Sequence, residues 1–288
     1  MTATAYGFIG LGNMGASMCG HLCTAGLPIT CYDVAGTAER APDGAEIADD
    51  LTIVARSTDT IFLSLPDGSV VSDVTGEIAA VEGRRTTTVV DFSTTGPEAA
   101  EAIGANLDAA GIVFVDAPVS GGRSGAVAGT ITVICAGPED AIGALTAAFN
   151  AVGGNTFHVG PRPGQAQAMK LLNNFLSATA MVATSEAILF GASHGLDMRT
   201  MIDVLNVSSG RNTATGDKFP NCIATGTFDA GFTTTLMSKD VNLFRDQVSQ
   251  AGTANKLTEV VAALWRETDS ALPGSDFSEI YRFLGNKV

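Results

Sequence analysis

The stretch that decides the fold is Gly10-Leu11-Gly12-Asn13-Met14-Gly15, preceded by the apolar run 5–9 and followed by helix-forming residues to about 24. The spacing glycine-x-glycine-x-x-glycine alone says little in a chain with 33 glycines. Its surroundings give it meaning. A second apolar run, 28–32, ends at Asp33, eighteen residues past Gly15. A strand, a glycine turn that opens a helix, and an acid closing the next strand together form a dinucleotide-binding unit. Gly10 permits the tight turn, Gly12 lets the backbone approach a pyrophosphate, and Gly15 lets the helix pack on the sheet. Leu11, Asn13 and Met14 complete the turn, and the helix start offers N–H donors and a favourable dipole. Asp33 accepts hydrogen bonds from ribose hydroxyls and repels a 2′-phosphate. The following Val34-Ala35-Gly36-Thr37 holds no cation, so NAD is expected over NADP, with Arg40 the one neighbour able to blur that preference.

Outward from this unit, strand-like runs recur at 60–65, 87–92, 113–116 and 130–135, with helical stretches at 45–55, 69–80, 97–110 and 141–148. Short apolar runs separated by helices predict an α/β fold: a Rossmann-type, doubly wound, mainly parallel sheet covered on both faces. In such sheets ligands lie beyond the carboxyl ends of the strands. Two more strand ends suit the cofactor there: Leu65 and Pro66 as a wall, and Ser93 or Thr94 as a reach to the nicotinamide ribose. After Gly160-Pro161-Arg162-Pro163 the pattern turns helical, over 165–193, 198–207, 214–224, 236–251, 256–270 and 275–283. The expected domains are 1–162, which binds the dinucleotide, and 163–288, an all-α part for substrate and oligomerisation that begins with a long interdomain helix.

A formal charge of −14 excludes nonspecific nucleic-acid binding, which needs Lys and Arg to displace counterions. Cys19, Cys23, Cys31, Cys135 and Cys222 form no CxxC pair and read as reduced thiols; with no basic leader at the N-terminus, a cytoplasmic protein is expected. His21, His158 and His194 lack metal-ligand spacing, so no metal is expected, and the histidines read as structural or solvent-facing. The run 175–192 is apolar enough for a membrane span but carries Glu186 and several hydroxyl residues, so a buried core helix is expected and no membrane. The apolar helices past Pro163 predict a homodimer or homotetramer.

Within GQAQAMKLLNN, residues 164–174, Lys170 and the later Glu186 are the sole formal charges up to Ala192. A buried ammonium is costly unless paired or neutralised, and burial lowers its pKa toward the range where it exchanges protons near neutrality. Lys170, Gln167 and Asn174 share a helix face. On its residues alone, a snorkelling lysine fits as well. Asp116-Ala117-Pro118-Val119-Ser120-Gly121-Gly122 follows a strand, and Ser120 with the exposed N–H groups of Gly121 and Gly122 can cradle a carboxylate; a plain glycine turn is the other reading.

With GFIGLGNMG at 7–15, DFSTTGP at 91–97, DAPVSGG at 116–122, GQAQAMKLLNN and the pair Lys239-Asp240 in this order, the chain resembles the β-hydroxyacid dehydrogenase family, which includes 3-hydroxyisobutyrate dehydrogenase and tartronate semialdehyde reductase. The resemblance implies that Lys170 is the catalytic acid/base, that Ser120, Gly121, Gly122 and Asn174 hold a small carboxylate-bearing substrate, and that Lys239, with Phe232, lies near the cofactor. It implies NAD-linked oxidation of a small β-hydroxy acid. Reduction of tartronate or succinic semialdehyde, and a cofactor-binding interaction module, are the alternatives; retained Lys170 argues against the module and against an imine reductase. Arg123 replaces the family's usual apolar residue and reads as a surface group, while Arg211 stays open.

Overall fold

A computed structural model describes residues 4–286. In chain order the first strands and helices are β1 (Tyr6–Ile9), α1 (Gly15–Thr24), β2 (Ile29–Tyr32), β3 (Glu46–Ile47), α2 (Leu51–Ser57), β4 (Thr60–Leu63), α3 (Gly68–Ala80), β5 (Thr88–Asp91), α4 (Pro97–Ala109) and β6 (Val113–Asp116). They are followed by β7 (Val119–Ser120), α5 (Gly122–Ala128), β8 (Ile131–Ala136), α6 (Glu139–Ala144), α7 (Thr146–Val152) and β9 (Gly153–Gly160). The sheet runs β3-β2-β1-β4-β5-β6-β8-β7, with β9 paired to β8. All neighbours from β3 to β6 are parallel; β8 runs antiparallel to β6 and β7 and parallel to β9.

Alternation along the strands builds two cores, one on each side of the sheet. Phe8, Phe62, Val90 and Val115 face one way and pack with Met18, Leu22 and Phe149. Ile9, Ile61, Leu63 and Val89 face the other way and pack with Val54, Val71, Ile78 and Ile103. The strand order reverses between β1 and β4, which puts the glycine turn at the point where chain direction around the sheet switches.

Some expected boundaries shift. The stretch 45–55 is not one helix: Glu46 and Ile47 pair with β2, and the helix starts where the Asp50 carboxylate accepts the Ile53 N–H at 2.9 Å. The stretch 141–148 is divided between α6 and α7.

Helix α8 (Gln165–Ser193) follows the Pro/Gly cluster. The chain divides into two compact units, one ending at Lys170 and the other starting at Leu171, so the first turns of this helix group with the sheet. The second unit continues with α9 (Met198–Asn206), a π-helical segment Ala214–Ile223, α10 (Thr234–Gln250), α11 (Lys256–Ala271), a 3₁₀ turn Phe277–Glu279 and α12 (Ile280–Gly285). Its core gathers Ala178, Met181, Ile188, Phe219, Trp265, Phe277 and Ile280. The segment expected as an α-helix over 214–224 widens because Pro220 lies inside it and has no N–H for the ordinary ladder. Helix α8 is long and apolar enough to span a bilayer by composition alone. The run 175–192, expected as a buried core helix, is buried on one side: Ala178, Met181 and Ile188 face the core while Leu176 and Phe190 are exposed.

Candidate active site

The glycine turn is shaped by three different demands. Gly10 has φ +95°, and a Cβ there would lie 2.3 Å from the Ser64 carbonyl oxygen. A Cβ on Gly15 would meet the Gly10 carbonyl oxygen at 2.0 Å, so α1 could not pack as it does. Gly12 is different: a Cβ there meets no atom within 4 Å. Nothing inside the protein requires that glycine, so the open space fits a ligand that comes close to the backbone. Met14 caps α1 without a side-chain hydrogen bond, which leaves the helix start to be satisfied from outside. This cradle fits a dinucleotide pyrophosphate.

Asp33 closes the turn from the side. Its Oδ2 accepts the Leu11 N–H at 2.6 Å and its Oδ1 accepts the Ala35 N–H at 2.8 Å, while Thr37 Oγ1 accepts the Asp33 N–H at 3.0 Å. A carboxylate has about four acceptor positions, so two bonds leave capacity for ribose hydroxyls. Val34, directly after it, is 90% exposed and Arg40 is also exposed.

At the ends of β4 and β5, the Ser93 hydroxyl accepts the Leu65 N–H at 2.8 Å and ties the two strand ends together. Ser93 is buried, and its own N–H donates to Asp91 Oδ1 at 2.9 Å. Thr94, half-buried, is the next residue of that loop, and Pro66 follows Leu65.

At the end of β6, Asp116 and Gln167 are both fully buried. Asp116 Oδ2 accepts the backbone N–H groups of Gly164 at 2.9 Å and Gln167 at 3.2 Å, while Oδ1 accepts from Gln167 Nε2 at 2.7 Å. Burial pushes the Asp116 carboxyl up to about 6, against the pull of these donors. Lys170, on the same helix one turn past Gln167, is buried at 8% exposure. Ser120 is half-buried on β7. Gly121 and Gly122 hold φ +134° and +63°; a Cβ on Gly121 would press on Ile131 at 3.3 Å, whereas Gly122 faces open space. Arg123 is exposed, as expected of a surface residue.

In the second unit the buried Asn174 donates from Nδ2 to Asp240 Oδ2 at 2.6 Å, and Lys239 Nζ lies 3.4 Å from Asp240 Oδ1. Asn174 and the Lys239-Asp240 pair therefore belong to one cluster. Phe232, half-buried, stacks edge-on against Phe277 at 6.1 Å in the loop before α10. Arg211 is exposed beside Asn212, whose Oδ1 accepts the N–H groups of Ala214 and Thr215. His21 Nε2 bonds the Ala126 and Val127 carbonyls and His158 Nε2 those of Gly137 and Gly160, so both are structural; His194 is exposed. Among the described residues no cluster of His, Cys, Asp or Glu could hold a metal.

Three residues of this arrangement were absent from the expected site. Asp240 was visible only as half of a Lys-Asp pair, and Asp116 only as the first letter of a glycine-rich motif. Gln167 was placed on the lysine's face, but nothing in its spacing marked the bonds its amide makes.

Residues 5–160 match the family described as the NAD binding domain of 6-phosphogluconate dehydrogenase. Residues 164–284 match the one described as NAD-binding of NADP-dependent 3-hydroxyisobutyrate dehydrogenase. The mitochondrial 3-hydroxyisobutyrate dehydrogenase of Rattus norvegicus is 32% identical over 98% of this chain and 87% of its own length. That of Pseudomonas aeruginosa is 32% identical over 99% of both chains. The chain belongs to the β-hydroxyacid dehydrogenase family. A solved structure of the Mycobacterium tuberculosis 3-hydroxyisobutyrate dehydrogenase with L-serine superposes with a TM-score of 0.88 at 28% identity, covering 98% of this chain and 99% of that one. Membership makes this chain an NAD(P)-dependent hydroxyacid dehydrogenase, and the glycine turn, Asp33 and the β4 and β5 ends lie within the part that matches the NAD-binding family.

Proposed function

We propose that the chain oxidises a small β-hydroxy acid of the 3-hydroxyisobutyrate kind with NAD, and that Lys170 exchanges the proton with the substrate oxygen. The observation that carries this reading is the burial of Lys170 on a helix whose neighbouring residues are otherwise uncharged, one turn past a fully bonded anchor. An amine held there has no packing advantage over a methylene chain, and a buried ammonium is costly unless it is paired or neutralised, which singles Lys170 out for a chemical task. A nicotinamide cofactor held by the glycine turn and Asp33 would supply the hydride acceptor for the carbinol carbon. The chain does the rest. Neutral Lys170 takes the hydroxyl proton as the carbonyl forms, and in the reverse direction the protonated amine returns it. Ser120 and the N–H groups of Gly121 and Gly122 receive the substrate carboxylate within the first unit; Asn174, one helical turn past Lys170, carries an amide whose orientation Asp240 fixes.

Asp33 supports NAD over NADP: its carboxylate is held in place by two backbone donors and would meet a 2′-phosphate as like charge. Asp33→Ala is expected to shrink the NAD/NADP ratio of kcat/KM at least about tenfold, as loss of one such charge contact implies. All five cysteines are free thiols, which supports a reducing compartment, the cytoplasm. The exposed apolar stripe on α8 supports a homodimer or homotetramer.

The deciding experiment is a panel of 3-hydroxyisobutyrate, 3-hydroxypropionate, D- and L-serine, glycerate and threonate with each nicotinamide cofactor, read at the absorbance of the reduced form. Lys170→Ala should abolish turnover on the preferred acid while NAD affinity by calorimetry stays within about threefold. Loss of both together would make Lys170 a structural residue.

A further inference from the structure

We propose that Gln167 is a positioning residue: its amide, bolted to Asp116 and to the loop after β5, sets the place of both Lys170 and Thr94. The inference rests on Lys170 being the proton-exchanging group. A primary amide has two donors and two acceptor positions. Gln167 uses all of them while fully buried: Oε1 accepts the N–H groups of Thr95 at 2.9 Å and Gly96 at 3.2 Å, and Nε2 donates to the Ser93 carbonyl at 3.0 Å and to Asp116 Oδ1 at 2.7 Å. The reversed amide would set its NH₂ against two N–H donors and its oxygen against a carbonyl and a carboxylate. One orientation alone is allowed.

An ordinary helix start needs no such residue. Asp116 already meets that need through the Gly164 and Gln167 backbone N–H groups, and an apolar side chain would fill the volume without desolvating an amide. The partners show what the amide achieves instead. Ser93, Thr95 and Gly96 bracket Thr94, so the amide defines the short loop that presents it. Ser93 in turn takes the Leu65 N–H, which extends the same lattice to the end of β4. One turn along the helix from this fixed point stands Lys170. The lattice thus sets the amine in register with the carboxyl ends of β4, β5 and β6, all within the first unit. Misplacing a reacting group by about 1 Å costs on the order of 10²-fold in rate.

The test uses Gln167→Met, which keeps the volume and loses every bond, and a double exchange, Asp116→Asn with Gln167→Glu. The exchange restores the 116–167 bond with donor and acceptor reversed and keeps an oxygen for Thr95 and Gly96, but loses the bond to the Ser93 carbonyl, so its recovery is partial. Each full-length variant is assayed with NAD and the acid that the unmodified chain oxidises fastest. NAD affinity is measured by calorimetry, and the pH-dependent acetylation of Lys170 in the cofactor-free chain is followed by mass spectrometry, with exposed Lys256 as reference. For Gln167→Met we expect kcat to fall about 10- to 100-fold, KM and NAD affinity to stay within about threefold, and the Lys170 acetylation profile to move while that of Lys256 does not. The double exchange should recover at least about tenfold in kcat over Gln167→Glu alone. An unchanged kcat and Lys170 profile in folded Gln167→Met overturns the proposal, and so does a parallel loss of kcat, KM and NAD affinity that tracks thermal stability. If Gln167→Met does not fold, Gln167→Glu against the double exchange decides alone: no recovery overturns the proposal. Lys170→Ala separates the two claims. Full turnover in it removes the acid/base reading and this inference with it, whereas lost turnover there with unchanged Gln167→Met sinks the inference alone.

Discussion

Gly12 and Gly15 stand three positions apart in one turn and answer to different constraints. At Gly15 the obstacle is the protein's own backbone, since an added Cβ would fall 2.0 Å from the Gly10 carbonyl oxygen. At Gly12 no protein atom stands in the way. Gly15→Ala should therefore lower stability by about 1–3 kcal/mol, the usual cost of forced overpacking, before any ligand is considered. Gly12→Ala should leave denaturant unfolding nearly unchanged and weaken NAD binding by at least about tenfold, because its methyl occupies space the cofactor backbone contact needs. Urea melts and NAD calorimetry on both variants separate the two roles; equal destabilisation by both would refute the distinction. At this scale the motif was readable wherever a residue's task follows from its own chemistry, as for the tight turn at Gly10 and the close packing at Gly15. It was unreadable where the task depends on a partner distant in sequence. Asp240 reaches Asn174 across 66 positions, and Gln167 reaches Thr95 across 72.

The start of α8 shows how an element can carry a titration. Burial raises the Asp116 carboxyl to about 6 from an ordinary 3.8, while N–H donors from Gln167, Gly164 and Ala166 pull the other way. Between those values the folded chain keeps a proton that the unfolded chain has released. The Asp116 contribution to stability is therefore greatest below about pH 4 and is lost as pH rises through 6, a change of roughly 3 kcal/mol. Urea unfolding at several pH values should show the unmodified chain losing that amount relative to Asp116→Asn across the window, and a constant difference would mean that the carboxyl is not raised. Above 6 the ionised carboxylate accepts the Gly164 and Gln167 backbone N–H groups and the Gln167 amide, so the anchor of α8 is complete at neutral pH. Other elements were legible in proportion to their apolar periodicity. Strands β1, β4, β5 and β6 alternate between two cores and were found. Strand β9 is largely exposed and joins the sheet chiefly through backbone pairing with β8, so its side chains carried no apolar signal. The short β3 has both residues exposed and left none either.

For the molecule as a whole, the division into a sheet-bearing part and a helical part followed from the change of pattern after the Pro/Gly cluster, since strands and helices bury apolar residues at different periods. Composition misled about the long helix because it counts apolar residues without saying which face they occupy. Leu172, Leu176, Ala183, Ala187 and Phe190 recur at spacings of three, four and seven along α8, and all are exposed. Ala178, Met181, Val182 and Ile188 on the other side are buried in the second unit's core. A stripe of this kind, several turns long with the exposed Glu186 beside it, is still more apolar than an ordinary solvated helix face. A second copy of the chain carries the same stripe, and a two-fold interface needs nothing further to be self-complementary. Leu176, 63% exposed, stands near the middle of its first half. In the assembled state Leu176→Glu would place a carboxylate in an apolar contact, and a buried charge without a partner is costly. The dissociation constant should rise about 100-fold or more, equivalent to about 2.7 kcal/mol. Sedimentation velocity at micromolar concentration should show the unmodified chain associated and Leu176→Glu shifted toward monomer with its fold intact. An unmodified chain that sediments as a monomer would refute the interface, and an unaffected oligomer in the variant would move it to another face.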